Sequence, residues 1–125
     1  MRVWLDDTRE APAGWVRTFT PEEVIGLLRL GRVAELSLDH DLGDDDAHGR
    51  GIDVIDFLAE QQEVHGRHLW PRDGITLHTA NPYGRDAMAR AIRRYAGRAF
   101  TVEESLTAGG KPRFRFRPRA AKPTG

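Results

Sequence analysis

Three apolar runs in this chain each end abruptly in residues that can bind metals, hold phosphate or move protons. Residues 2–5 run into Asp6-Asp7, residues 33–38 into Asp39-His40-Asp41, and residues 75–77 into His78-Thr79-Ala80-Asn81. Apolar runs of this length read as buried strands, and abrupt acids mark the end of such a strand at a sheet edge. Two unit negative charges about 4 Å apart repel by ~4 kcal/mol at an effective dielectric of roughly 20. If the first two strands are neighbours, Asp6, Asp7 and Asp39 therefore need a bound cation, a shared proton or a base such as Arg9. Magnesium takes oxygen ligands and keeps several waters, so carboxylates plus a phosphate oxygen suit it; a ligating His40 or His78 would shift the preference toward manganese or zinc. One aspartate after a strand is commonly a turn residue or a helix cap. Two acidic strand ends and a histidine strand end at one edge point instead to a functional site.

The segment 78–84, HTANPYG, adds a helix start. Asn81 reads as the N-cap with Pro82 in the first turn, which leaves backbone N–H groups facing the same edge, where anions such as phosphate are favoured. Asp44, Asp45 and Asp46 read as a solvated acidic turn, and His48, His65 and His68 as exposed. The basic run Lys111, Arg113, Arg115, Arg117, Arg119 and Lys122 interleaves with Phe114 and Phe116. It reads as an edge strand with phenylalanines inward and arginines in water.

The elements that must position these residues follow from periodicity and punctuation. Strands are expected at 2–5, 15–19, 33–38, 75–77 and 111–117. A helix follows Thr20 as N-cap with Pro21 first and Glu23 three residues after the cap; its apolar face is Val24, Ile25, Leu27 and Leu28, and Gly31 stops it. A second helix covers 51–62, with Ile52, Ile55, Phe57 and Leu58 on a helical period. A third starts at Pro82, with Met88, Ala91, Ile92 and Tyr95 as its stripe and Arg93, Arg94 and Arg98 near its negative end. Alternating strands and helices imply an α/β fold, a three-layer α/β/α sandwich around a mainly parallel sheet of about five strands. In such sheets ligands sit outside the carboxyl ends of the strands, where the acids fall.

Composition narrows the remaining classes. The chain has 125 residues, enough for one domain with a real core, organised as a domain over 1–118 and a flexible basic tail over 119–125. It has no cysteine, which excludes disulfides, thiolate zinc sites and a cysteine nucleophile. With 19 basic and 19 acidic residues its net charge is zero, so charge alone selects no nucleic-acid partner. No stretch reaches the ~20 apolar residues that span a bilayer and the N-terminus does not read as a signal peptide, so a cytoplasmic location is expected.

Taken together, LDDTREAP, LSLDHDLG, the glycine-led helix GIDVIDFL and ITLHTANPYGRDAM resemble the cyclic-phosphate-processing receiver-like family, a divergent relative of response-regulator receiver domains. The resemblance covers roughly residues 2–95. It implies a receiver-like (flavodoxin-like) fold, with Asp6 and Asp7 as the acidic metal pair and Asp39 in the phosphate-accepting position. Three departures from a receiver stand out. Residues 7–14 replace its first helix, His78 precedes the hydroxyl residue Thr79, and Lys111 comes before the last strand where a receiver has a lysine after it. What the resemblance implies is a phosphoesterase acting on cyclic phosphates of nucleotides or RNA-repair by-products.

The expected chemistry is metal-assisted hydrolysis. Asp6, Asp7 and Asp39 would hold magnesium or manganese, His40 or His78 would protonate the leaving oxygen, and Asp39 counts with both histidines as catalytic. Arg9, Asp41, Thr79 and Asn81 would bind phosphate and substrate. The partner is a small phosphorylated substrate such as a nucleotide or an RNA end, with no membrane and no obligate protein partner. The rivals are a metal-free His40–His78 acid–base pair, a non-catalytic module that binds a phosphorylated or cyclic nucleotide, a true receiver phosphorylated on Asp39, and a nucleic-acid binder using the basic run.

Overall fold

Val3 and Leu5, Leu36 and Leu38, and Ile75 and Leu77 alternate at the spacing of two that puts side chains on one side of a strand. All six are buried in one hydrophobic cluster. The structure is a computed structural model that describes residues 1–41 and 49–119. The chain runs β1 (Arg2–Leu5), β2 (Trp15–Thr18), α1 (Pro21–Arg29), β3 (Glu35–Leu38), α2 (Gly51–Glu63), β4 (Ile75–Leu77), α3 (Pro82–Ala99), β5 (Phe100–Leu106) and β6 (Pro112–Pro118). These form one sheet in the order β2-β1-β3-β4-β6-β5. The four strands from β2 to β4 are parallel, and β6 pairs antiparallel with both β4 and β5.

Local chemistry explains the helix ends. Thr20 Oγ1 accepts from Glu23 N at 3.3 Å, while Glu23 Oε1 accepts from Phe19 N at 3.3 Å, so each satisfies an N–H that the first turn of α1 or the chain before it would otherwise leave free. Asn81 Oδ1 accepts from Tyr83 N at 3.0 Å and Gly84 N at 3.2 Å, which caps α3. Gln62, buried in α2, donates to Tyr95 O at 2.6 Å and accepts from Trp70 Nε1 at 2.9 Å, tying α2 to α3 and to the connector before β4.

The mainly parallel α/β sheet expected from the sequence is what forms, with two differences. It has six strands because of β5, in which the alternation of Phe100 and Val102 with Thr101 and Glu103 is broken at Glu104 and most side chains are exposed. The connections β2–α1–β3, β3–α2–β4 and β4–α3–β5 also all step the same way across the sheet. Right-handed connections then place all three helices on one face, and α2 indeed packs against both α1 and α3. The step from β1 to β2 runs the opposite way and uses residues 6–14 instead of a helix. The second helical layer of the expected sandwich is therefore not formed among the described residues, and the face carrying Trp4, Ser37 and Thr76 opens onto a cavity.

The basic run is placed differently from expectation in one respect. Phe114 and Phe116 do point into the core, but β6 lies inside the sheet and β5 is the edge. The hairpin supplies acids to the arginines: Arg117 pairs with Glu103 at 2.9 Å, and Arg93 of α3 with Glu104 at 2.7 Å. Arg113 pairs with Glu35 of β3 at 3.3 Å. Lys122 lies outside the described residues, as do Asp44, Asp45, Asp46 and His48, whereas His65 and His68 are exposed as expected.

Candidate active site

The parallel register aligns Leu5 with Leu38 and Leu38 with Leu77, so the next residues of β1, β3 and β4 emerge side by side. The ladder continues one step past the strands: Asp39 N donates to Leu5 O at 2.9 Å and His78 N to Leu38 O at 3.0 Å. Asp6, Asp39 and His78 thus leave the sheet in one row, on the face that also bears Trp4 and Ser37 two residues earlier. Asp6, Asp7 and Asp39 each offer a carboxylate oxygen, and these oxygens lie within 4.8 Å of one another.

Asp6 is fully buried and organises the loop that follows it. Its Oδ1 accepts from Thr8 N at 2.9 Å, Arg9 N at 2.9 Å and Thr8 Oγ1 at 3.2 Å. Its Oδ2 faces His78 Nε2 at 3.1 Å and the Arg9 guanidinium at 3.9 Å. Burial would raise this carboxyl, but the backbone N–H groups of Arg9 and Thr8, together with His78, outweigh it and hold the pKa below the ordinary value. Asp39 goes the other way. Burial and then the charge of Asp6 raise its pKa, against the His40 N–H, the Thr79 hydroxyl and Arg9. The two neighbouring carboxyls are thus driven apart, Asp6 toward its charged form and Asp39 toward its neutral one.

His78 is held on every side. Its Nε2–H donates to Asp6, so Nδ1 is the acceptor for the Ser37 hydroxyl at 2.7 Å. Trp4 stacks on the ring with centroids 3.8 Å apart and planes 4° from parallel. The His78 carbonyl accepts from the Arg9 guanidinium at 2.9 Å. Burial dominates, and the His78 pKa is pushed down to about 4 despite Asp6. Ser37 and Trp4 were not singled out from the sequence. Their signal was strand alternation, since each stands two residues before an acid of the row.

A cavity of about 290 Å³ opens at this edge, lined by Asp7, Arg9, Asp39, Asp41, Thr79 and Asn81 among others. All four expected phosphate-binding residues therefore meet there. Arg9 is the one cation among the described residues lining it. Asn81 Nδ2 donates to Asp41 Oδ2 at 3.2 Å across the mouth. Because Asn81 Oδ1 takes the N–H groups of Tyr83 and Gly84, those donors are not left free for an anion.

His40 does not join this cavity. It follows Asp39 directly, so alternation turns it away from Asp39. Its ring is buried against α3, where a Cβ on Gly84 would meet His40 Cδ2 at 2.2 Å, and its Nδ1 has no partner among the described residues. A second glycine is as tightly fixed. A Cβ on Gly51 would meet the Asp39 carbonyl oxygen at 2.0 Å, so the first residue of α2 lets the helix close on the end of β3. Asp41 and Arg50 pair in an isolated antiparallel bridge.

The parallel sheet, the acids at its carboxyl edge and the missing first-helix layer define a divergent receiver-like α/β domain. A family model described as the cyclic-phosphate processing receiver domain matches residues 1–94, and the chain belongs to that family. The match ends within α3, so the β5–β6 hairpin lies beyond it. No curated protein and no solved structure matches the chain. Among the described residues, no helix is long and apolar enough to cross a membrane.

Proposed function

We propose that this chain hydrolyses a cyclic phosphoester at the acidic cavity, with a divalent cation held by Asp6, Asp7 and Asp39. The carrying observation is the lining itself: Asp7, Asp39 and Asp41 face a cavity to which Arg9 brings the one cationic side chain among the described lining residues. An anionic phosphate entering such a cavity meets net repulsion unless a cation bridges it to the carboxylates. The donor set fits, being all oxygen and clustered, and favours magnesium or manganese. Bound there, the cation would polarise a phosphoryl oxygen and lower the pKa of a water.

The chain's own residues divide the remaining work. Arg9, anchored on the His78 carbonyl, places positive charge where negative charge develops. Thr79 holds Asp39 through its hydroxyl and accepts from Asn81 N at 3.1 Å, which fixes the turn between β4 and α3. His78 acts by positioning: with both ring nitrogens engaged, it aims Asp6 and keeps Ser37 and Trp4 in register. Packing of the His40 ring against Gly84 disfavours the metal-free His40–His78 pair. Phosphotransfer to Asp39 is disfavoured because Lys111 lines the neighbouring cavity and not this one.

The test is an assay of 2′,3′-cyclic nucleotides and simpler cyclic phosphates with and without magnesium or manganese. Turnover that needs the metal and is lost in Asp39→Asn is expected. Binding with the ligand recovered intact under both metals would replace the reading with a binding module.

A further inference from the structure

The face left bare by the missing helix layer holds a cavity of about 480 Å³, a volume typical of small-molecule sites. Its floor is one row of the sheet, Trp4, Ser37 and Thr76, which the register sets side by side. Trp15 stands edge-on to Trp4, with centroids 6.2 Å apart and planes at 78°. One end is closed by the Glu35–Arg113 ion pair. At the other end Arg9 and His78 form the wall shared with the acidic site, and Arg9 lines both cavities. Lys111, which has no carboxylate partner among the described residues, reaches in from the β5–β6 turn.

We propose that this cavity is the base subsite of the same active site and takes the purine ring of a nucleoside, so that the substrate class is a nucleotide carrying a cyclic phosphate. This rests on the phosphoesterase reading for the phosphate half only. The occupant follows from the walls. Flat indole surface favours a flat ring, because stacking on an aromatic is sequence-tolerant but strong. The hydroxyls of Ser37 and Thr76 and the Glu35 carboxylate offer polar contacts to a heteroaromatic edge. Arg9, which lines both cavities, stands between the ring and the phosphate, where the ligand's charge would lie, and Lys111 adds a second positive charge to the ring's own cavity. A lipid tail would find too many ionised groups here, and a free phosphate would not need two tryptophans.

The experiment uses adenosine, which has no phosphate, and follows the indole N–H signals of Trp4 and Trp15 by NMR in the full chain. Saturable shifts are expected in the wild type and in Asp39→Asn, with binding weakened about tenfold by Trp15→Leu. A second variant, Thr76→Tyr, fills the cavity with a residue that strands favour, and it should abolish the shifts while thermal unfolding remains cooperative. Adenosine and 2′,3′-cyclic adenosine monophosphate leaving both indoles unmoved at millimolar concentration would overturn the proposal, as would undiminished binding in folded Thr76→Tyr. Adenosine binding without turnover of any phosphoester would uphold the base subsite and reject the phosphoesterase reading instead.

Discussion

His78 should make this fold acid-labile in a window set by its own burial. The ring is 4% exposed, and burial first of all lowers its pKa from 6.5 to about 4, helped by Arg9 and Lys111 and opposed by Asp6. Between those values the unfolded chain binds a proton that the folded chain refuses, so stability rises with pH across the window. The contribution is complete above the unfolded value and is lost as pH falls toward about 4. At 1.36 kcal/mol per pH unit the whole loss is about 3 kcal/mol, with ~2 kcal/mol gone between about pH 7.5 and about pH 5. Asp39 works against it, because a raised carboxyl pKa gives stability at low pH that disappears as pH rises. That background is common to the wild type and His78→Gln, in which the amide keeps one polar contact and cannot titrate. Urea unfolding in EDTA across this range should show the wild type losing ~2 kcal/mol more than the variant. Parallel pH dependences for the two proteins would refute the reasoning.

Thermal unfolding should separate two glycine substitutions in opposite directions. Gly51→Ala drives a Cβ into the Asp39 carbonyl and should cost ~1–3 kcal/mol, while Gly26→Ala in α1 meets nothing within 4 Å and should gain up to about 1 kcal/mol. Asp39→Asn should raise the melting temperature of the metal-free protein near neutral pH, since it removes a buried charge beside Asp6, and should abolish any further rise on adding manganese. Trp70→Phe leaves Gln62 Oε1 without its indole donor and should cost ~1–3 kcal/mol in urea unfolding.

What could be read in advance was whatever local chemistry imposes. Apolar runs ending in acids marked β1 and β3, and Thr20-Pro21 and Asn81-Pro82 marked the starts of α1 and α3, because caps and strand ends are decided within a few residues. The convergence of Asp6, Asp39 and His78 needed only parallel neighbours in register, and that is what β1, β3 and β4 are. β5 was harder to read because it follows α3 with no intervening turn and Glu104 interrupts the alternation begun by Phe100 and Val102, while its place at the edge depends on β6 pairing with it. The turning away of His40 was legible in principle from its place next to Asp39. The role of Gly84 was not, since only the tertiary approach of α3 to the His40 ring makes a side chain there impossible.

The bridge between Asp41 and Arg50 closes off the chain between them at its base. Whatever that stretch does, the strand end before it and the helix after it are already joined, by this bridge and by Gly51 N donating to the His40 carbonyl at 3.0 Å. Loop-closure entropy grows only with the logarithm of length. A change in the number of residues between Asp41 and Arg50 should therefore cost little folding free energy and leave Asp39 where it is.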